Sequence, residues 1–89
     1  LGKPEYPYLK HTNTILDSCE FDNNELNIIL SAYPGHSNKT NIISPRLPKN
    51  VMIDGVNDDS WIPIEHQDYQ EIKLSFVHKK ASAKVILEF

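Results

Sequence analysis

The stretch "TILDSCEFDNNELNIILSAY", residues 14–33, decides the fold. Ile15, Cys19 and Phe21 fall on one side of an extended chain, with Asp17 breaking the pattern. Leu16, Ser18 and Glu20 take the other side. Side chains that alternate with a period of two belong to a strand. "DNNE", residues 22–25, comes next. Asparagine tolerates the left-handed backbone that a tight turn needs. Leu26, Ile28, Leu30 and Ala32 then line one face of a second extended run. Strand, asparagine turn and strand together predict a hairpin.

The same alternation recurs towards the C-terminus. In "EIKLSFV", residues 71–77, Ile72, Leu74 and Phe76 point one way; in "AKVILEF", residues 83–89, Val85, Leu87 and Phe89 do. "HKKAS" between them reads as a turn, so these two runs are expected to pair as a second hairpin. In the middle, "PGHSNK" reads as a loop and "TNIIS" as a short strand. "PRLPKN" is punctuated by proline, and "VMID" is a strand that meets the turn pair Asp54-Gly55. "SWIPIEHQDYQ" offers a short strand interrupted by Pro63. The opening "KPEYPYLKH" carries two prolines and two tyrosines, hence extended chain or an edge strand. Residues 1–13 are accordingly expected to be an entry segment or linker, and residues 14–89 the domain. No segment repeats its apolar residues at helical spacing. Six to eight short strands with turn signals between them predict an all-β, immunoglobulin-like antiparallel β-sandwich.

Composition narrows the function classes. The chain has 89 residues, enough for one small domain. Its net charge is −3 with acids and bases interspersed, so no basic stripe is available for nucleic acid. No apolar run approaches the ~20 residues of a membrane span. The single cysteine, Cys19, excludes an internal disulfide and sits where a buried, inert thiol is usual. The chain opens on Leu1 rather than Met, as a piece of a longer protein would. A secreted or cell-surface setting fits this reading.

The polar stretch "NVMIDGVNDDSW", residues 50–61, gathers the candidate site. Asp54, Asn57, Asp58 and Asp59 supply the oxygens calcium prefers, but their spacing is not that of an EF-hand loop. A glycine turn followed by a polar loop accounts for them, and no metal or cofactor is expected. Trp61, the only tryptophan, could stack on a sugar ring, with Tyr69, Asn57 and Asp59 completing the lip. Its competing use is packing, because it is the largest apolar side chain of a small domain. His11, His36, His66 and His78 are scattered and form no close metal-ligand spacing. Glu65 and Asp68 could act as an acid–base pair only in a cleft, so no catalytic residue is assigned and the domain is read as no enzyme by itself. Asn38-Lys39-Thr40 matches the N-glycosylation acceptor and is expected in a loop.

Pro48, Val51, Ile53, Asp54, Gly55 and Trp61 occur in that order, and Val85 to Phe89 close the chain. In this, Asn24 to Phe89 resembles the short C-terminal β-sandwich that closes many glycoside hydrolases, especially those with a (β/α)8 catalytic barrel. The resemblance implies a non-catalytic accessory module of a carbohydrate-active protein. It would pack against a catalytic or neighbouring domain of the parent chain and touch carbohydrate occasionally. The enzyme's acid and nucleophile would lie outside these residues. Two other readings stand beside it: a carbohydrate-binding module with Trp61 as platform, and an adhesion or surface-protein interaction domain.

Overall fold

The computed structural model describes residues 4–89. They form nine strands: β1 (Tyr8–Thr12), β2 (Ile15–Asp22), β3 (Glu25–Ser31), β4 (Ser37–Ser44), β5 (Asn50–Ile53), β6 (Val56–Asn57), β7 (Ile62–Glu65), β8 (Gln70–Val77) and β9 (Ser82–Glu88). One sheet has the order β1-β4-β8-β7 and the other β2-β3-β9-β5-β6. Every pairing is antiparallel. The all-β sandwich expected from strand spacing is the architecture of the domain. No helix long and apolar enough to cross a membrane occurs among the described residues.

The β2–β3 hairpin forms as its residues dictate. Asp22 pairs with Glu25, which leaves Asn23 and Asn24 as a two-residue loop at φ 50° and 60°. Two successive left-handed residues make the turn whose twist matches the strands it joins. Asp54 and Gly55, at φ 51° and 81°, repeat the device between β5 and β6. The break in alternation at Asp17 is a β-bulge, where the register with β3 shifts between Leu16 and Ser18.

Between the sheets lies one apolar layer. Leu26, Ile28 and Leu30 of β3, Val85 and Leu87 of β9 and Val51 of β5 face Ile42 of β4 and Ile72 and Leu74 of β8. All are buried. A fully buried Leu or Ile contributes about 1.5–3 kcal/mol relative to an exposed one. One end of the layer is capped by aromatic rings: Phe89 meets the edge of Phe21, which stacks on Tyr6.

Three expectations need correction. Of the two readings of the opening stretch, edge strand and linker, the edge strand forms: Tyr8–Thr12 pairs with β4 as β1, so the domain begins before residue 14. Proline tolerance explains the ambiguity: Pro4 and Pro7 precede the strand and take no donor from its ladder. Second, β8 and β9 do not pair with each other. β8 pairs with β4 and β7, and β9 with β3 and β5. Their connection is an arch from one sheet to the other, since both apolar faces must meet across the core rather than side by side. Third, β4 begins at Ser37, so Asn38 lies in a strand and is fully buried. Its side chain is not available as a glycan acceptor in the folded domain. Pro63 sits within β7, an edge strand, where a missing N–H is tolerated.

The strand order differs from that of an immunoglobulin constant domain, although the layers are alike. Consecutive strands β3 and β4 pair with β9 and β8 respectively, so the two arches lie together at one end. The result is a two-stranded ribbon bent over itself. Ile28→Ala should cost about 2–5 kcal/mol by opening a cavity in its centre. Gly55→Ala should cost about 1–2 kcal/mol through backbone strain alone, since a Cβ there would meet nothing within 4 Å. Denaturant unfolding of both variants checks the two values.

Candidate functional site

Two polar clusters are built on the sheet that holds β4 and β8. The first lies on its outer face, because Glu71 alternates with the core residues Ile72 and Leu74. Glu71 is nonetheless buried, at 5% exposure. Asn41, two positions from its cross-strand neighbour Ile43, donates to Glu71 Oε2. His66 Nε2 donates to Oε1 at 3.0 Å, and Lys10 Nζ stands 3.6 Å from the same oxygen. The His66 ring stacks on Tyr69 at 4.4 Å, and the His66 amide donates to the Tyr69 carbonyl. Glu71 thus joins β1, β4 and the turn between β7 and β8. Burial raises its carboxyl, but the Asn41 and His66 hydrogen bonds and the Lys10 charge outweigh burial and hold it below the ordinary value.

The second cluster runs through the interior at the arch end. The Thr40 hydroxyl donates to Asn38 Oδ1 at 2.6 Å, and Asn38 Nδ2 lies 2.8 Å from His78 Nε2. Thr12 and Thr40 hydroxyls are 2.8 Å apart, as are those of Thr12 and Thr14. Each hydroxyl carries one proton. Thr40 spends its proton on Asn38, so Thr12 must donate to Thr40, and Thr14 to Thr12. The relay therefore has one direction, from Thr14 to His78. Asn38 and Thr40 are fully buried and His78 nearly so.

The candidate lip is dispersed. Trp61 is half-buried and packs against the core. Tyr69 stacks on His66 at the closed end of the β7–β8 hairpin, whereas Trp61 precedes its open end. The four residues of β7 separate them by about 13 Å. Asn57 and Asp59 are exposed. Asn57 borders a groove of mixed polarity with Asp54, Asp58, Phe76, Lys79 and Lys80. The loop carboxylates are used in turns: Asp54 Oδ1 accepts the Lys84 amide, and Asp58 Oδ1 accepts the Ser60 hydroxyl. No cluster of three or more His, Cys, Asp or Glu that could hold a metal occurs among the described residues. Burial pushes the Cys19 thiol up, despite its bond to the Leu9 backbone, so the reactive thiolate is disfavoured.

Sequence reasoning missed Glu71, Asn41 and Lys10, and the relay from Thr14 to His78. The partners Thr12–Thr40, Asn41–Glu71 and Asn38–His78 lie 28 to 40 residues apart, and only the register brings them together. No family model, curated protein or solved structure matches the chain.

A carboxyl held below its unfolded value stabilises the fold above that value, about pH 4.3, and loses the contribution as pH falls through the folded value. Glu71→Gln should therefore lower stability at neutral pH and flatten the decline below about pH 4.3. Thermal unfolding across pH 3–7 reads both effects. Trp61→Ala should cost about 3 kcal/mol, a loss read by the same unfolding assay.

Proposed function

We propose that this domain is a non-catalytic β-sandwich module that packs against a catalytic or neighbouring domain of a larger, carbohydrate-active chain. The observation that carries the packing role is a patch at the arch end. Tyr33 is 86% and Ile15 67% exposed. With Ala32, Pro34, Ala81 and two serines they line a shallow groove without a charged side chain. Contiguous apolar surface marks an interaction site, whereas single exposed apolar residues need no explanation. Absence of charge at its centre suits a lasting neighbour over a transient one. The groove is held in shape by backbone bonds from the Ala32 amide to the Ala81 carbonyl and from the His36 amide to the Tyr33 carbonyl. The carbohydrate-active part of the reading rests on the resemblance of Asn24 to Phe89 to the closing sandwiches of glycoside hydrolases. The chemistry would then belong to the neighbour, in keeping with the use of Glu71, Asp54 and Asp58 in bonds that tie strands and turns.

A carbohydrate-binding role is the second reading. Tyr33, not Trp61, favours it, as the most exposed aromatic ring among the described residues.

The native polypeptide decides between these. Antiserum against these 89 residues should detect a chain several times longer. In that chain the amides around Ile15 and Tyr33 should be protected from hydrogen exchange beyond their protection in the isolated domain. A band the size of the domain alone, or no added protection, would overturn the packing role. Tyr33→Ser abolishing a fluorescence response of the domain to oligosaccharides would favour the second reading.

A further inference from the structure

We propose that two copies of this chain associate face to face through the outer surface of the five-stranded sheet, with β9 stacked antiparallel on its own counterpart. The surface follows from the register. Ala83, Val85 and Leu87 of β9 are buried in the core, so Lys84, Ile86 and Glu88 point outward. Ile86 stands between Asn27 of β3 and Met52 of β5 and is half-buried. Lys84 stands beside Ile29, which is 36% exposed, and Glu88 stands beside Glu25. An apolar centre of Ile86, Met52 and Ile29 therefore separates a basic position from an acidic row.

That acidic row is unbalanced within one copy. Asp22, Glu25 and Glu88 are direct cross-strand neighbours, and Glu20 follows Asp22 on the same face. Like charges directly opposite one another are destabilising. No Lys, Arg or His forms an ion pair with any of the four among the described residues. Asn50 Nδ2 donates to Glu88 Oε1 at 3.1 Å, an uncharged partner. Lys84 is exposed and likewise without an ion pair. The strand itself keeps it about 13 Å from Glu88 of its own copy.

A second copy supplies the missing partner. The outer face of β9 reads Lys84, Ile86, Glu88, which complements itself when reversed. A two-fold axis across the strands at Ile86 sets Ile86 on Ile86 and Met52 on Met52. It also sets Lys84 of each copy over Glu88 of the other. An axis along the strands would set the two acidic rows on each other, and their repulsion disfavours it. Packed sheets lie about 10 Å apart and cross at about 30°. Two residues from the axis, that crossing displaces Lys84 sideways by about 3–4 Å, less than one strand spacing. Its ammonium then meets Glu88 or the neighbouring Glu25. An isologous contact of this kind closes at two copies.

The contact is small. Five strands about 4.8 Å apart and three rows about 7 Å apart cover roughly 400–500 Å² per copy. A standard interface buries about 800 Å² per partner. The dimer is therefore transient and forms at high concentration, unlike the lasting contact proposed for the groove at Tyr33. That groove begins at Ser31 and Ser82, beyond Ile29 and Lys84, so the two surfaces adjoin without overlapping.

Sedimentation velocity of the 89-residue chain, from micromolar to millimolar concentration, should show a monomer–dimer equilibrium that weakens as salt is raised. Lys84→Glu sets acids against acids, and Glu88→Lys sets bases against bases. Each variant alone should associate roughly tenfold or more weakly. An equimolar mixture of the two should recover association as a heterodimer. Glu25→Lys, at a side chain engaged in no hydrogen bond among the described residues, repeats the test where Glu88→Lys fails to fold. Tyr33→Ser should leave the equilibrium unchanged. A chain that stays monomeric at millimolar concentration, single variants that associate as before, a mixture that stays monomeric, or loss of the dimer in Tyr33→Ser would each overturn the proposal.

Discussion

The structure depends on a single constraint: one two-stranded ribbon must bury its own apolar face by bending over it. β3 and β9 carry Leu26, Ile28, Leu30, Val85 and Leu87 on one side. β4 and β8 carry Ile42, Ile72 and Leu74. Neither half can shed this surface from water alone, and both belong to the same pair of chain segments. Bending the ribbon once brings the halves face to face and makes both connections arches. The remaining strands follow from that fold. β2 extends the β3 side through an asparagine turn, β7 extends the β8 side, β5 and then β6 extend the β9 side, and β1 extends the β4 side. A failure in the central layer would therefore release every strand, whereas a failure at β6 or β1 would cost only an edge.

Arches carry a difficulty that hairpins do not. Strands that cross between sheets take their polar backbone and side chains through the end of the core, where water is scarce. Unpaired buried groups there cost about 1–3 kcal/mol each. Asn38, Thr40 and His78 sit at that crossing and are buried. Their bonds to one another, extended through Thr12 and Thr14 at the corner between the sheets, answer the difficulty. The same relay fixes the path of β1 into β2. A polar network satisfied at all but one terminal nitrogen, His78 Nδ1, holds the crossing in one arrangement. The aromatic end has no such network, because Phe21 and Phe89 close it by contact.

Legibility in the sequence tracks the range of the interaction. Asn23-Asn24 and Asp54-Gly55 announce their turns because left-handed backbone is a local demand met by local residues. Asp17 shows its bulge as a skipped beat in the alternation. The partnership of β8 with β4 leaves no such trace, since Ile72, Leu74 and Phe76 would alternate in the same way beside any strand. That is why "HKKAS" looks like a hairpin turn and is an arch. Asn38 was hidden for a related reason: Pro34 and Gly35 suggest a loop, and nothing local says that the loop ends at Ser37. Trp61 illustrates a third case. Its type raises two uses, packing and stacking, and only the position of β7 against β8 settles its contact with the core.

The two polar clusters also differ in what they can do for the domain. Glu71 is a charge held at the surface of one sheet by three groups from separate elements, and its energy is spent on joining an edge strand and a turn to the sheet's centre. Such a charge cannot become a general base without first leaving those partners. His78 is held within the core by a side-chain bond to Asn38. The two clusters stand at opposite ends of the same sheet and serve different demands. The Glu71 end ties an edge strand and a turn to the sheet through an ionised carboxylate, and the His78 end fills the crossing of the arches with polar groups that bond one another.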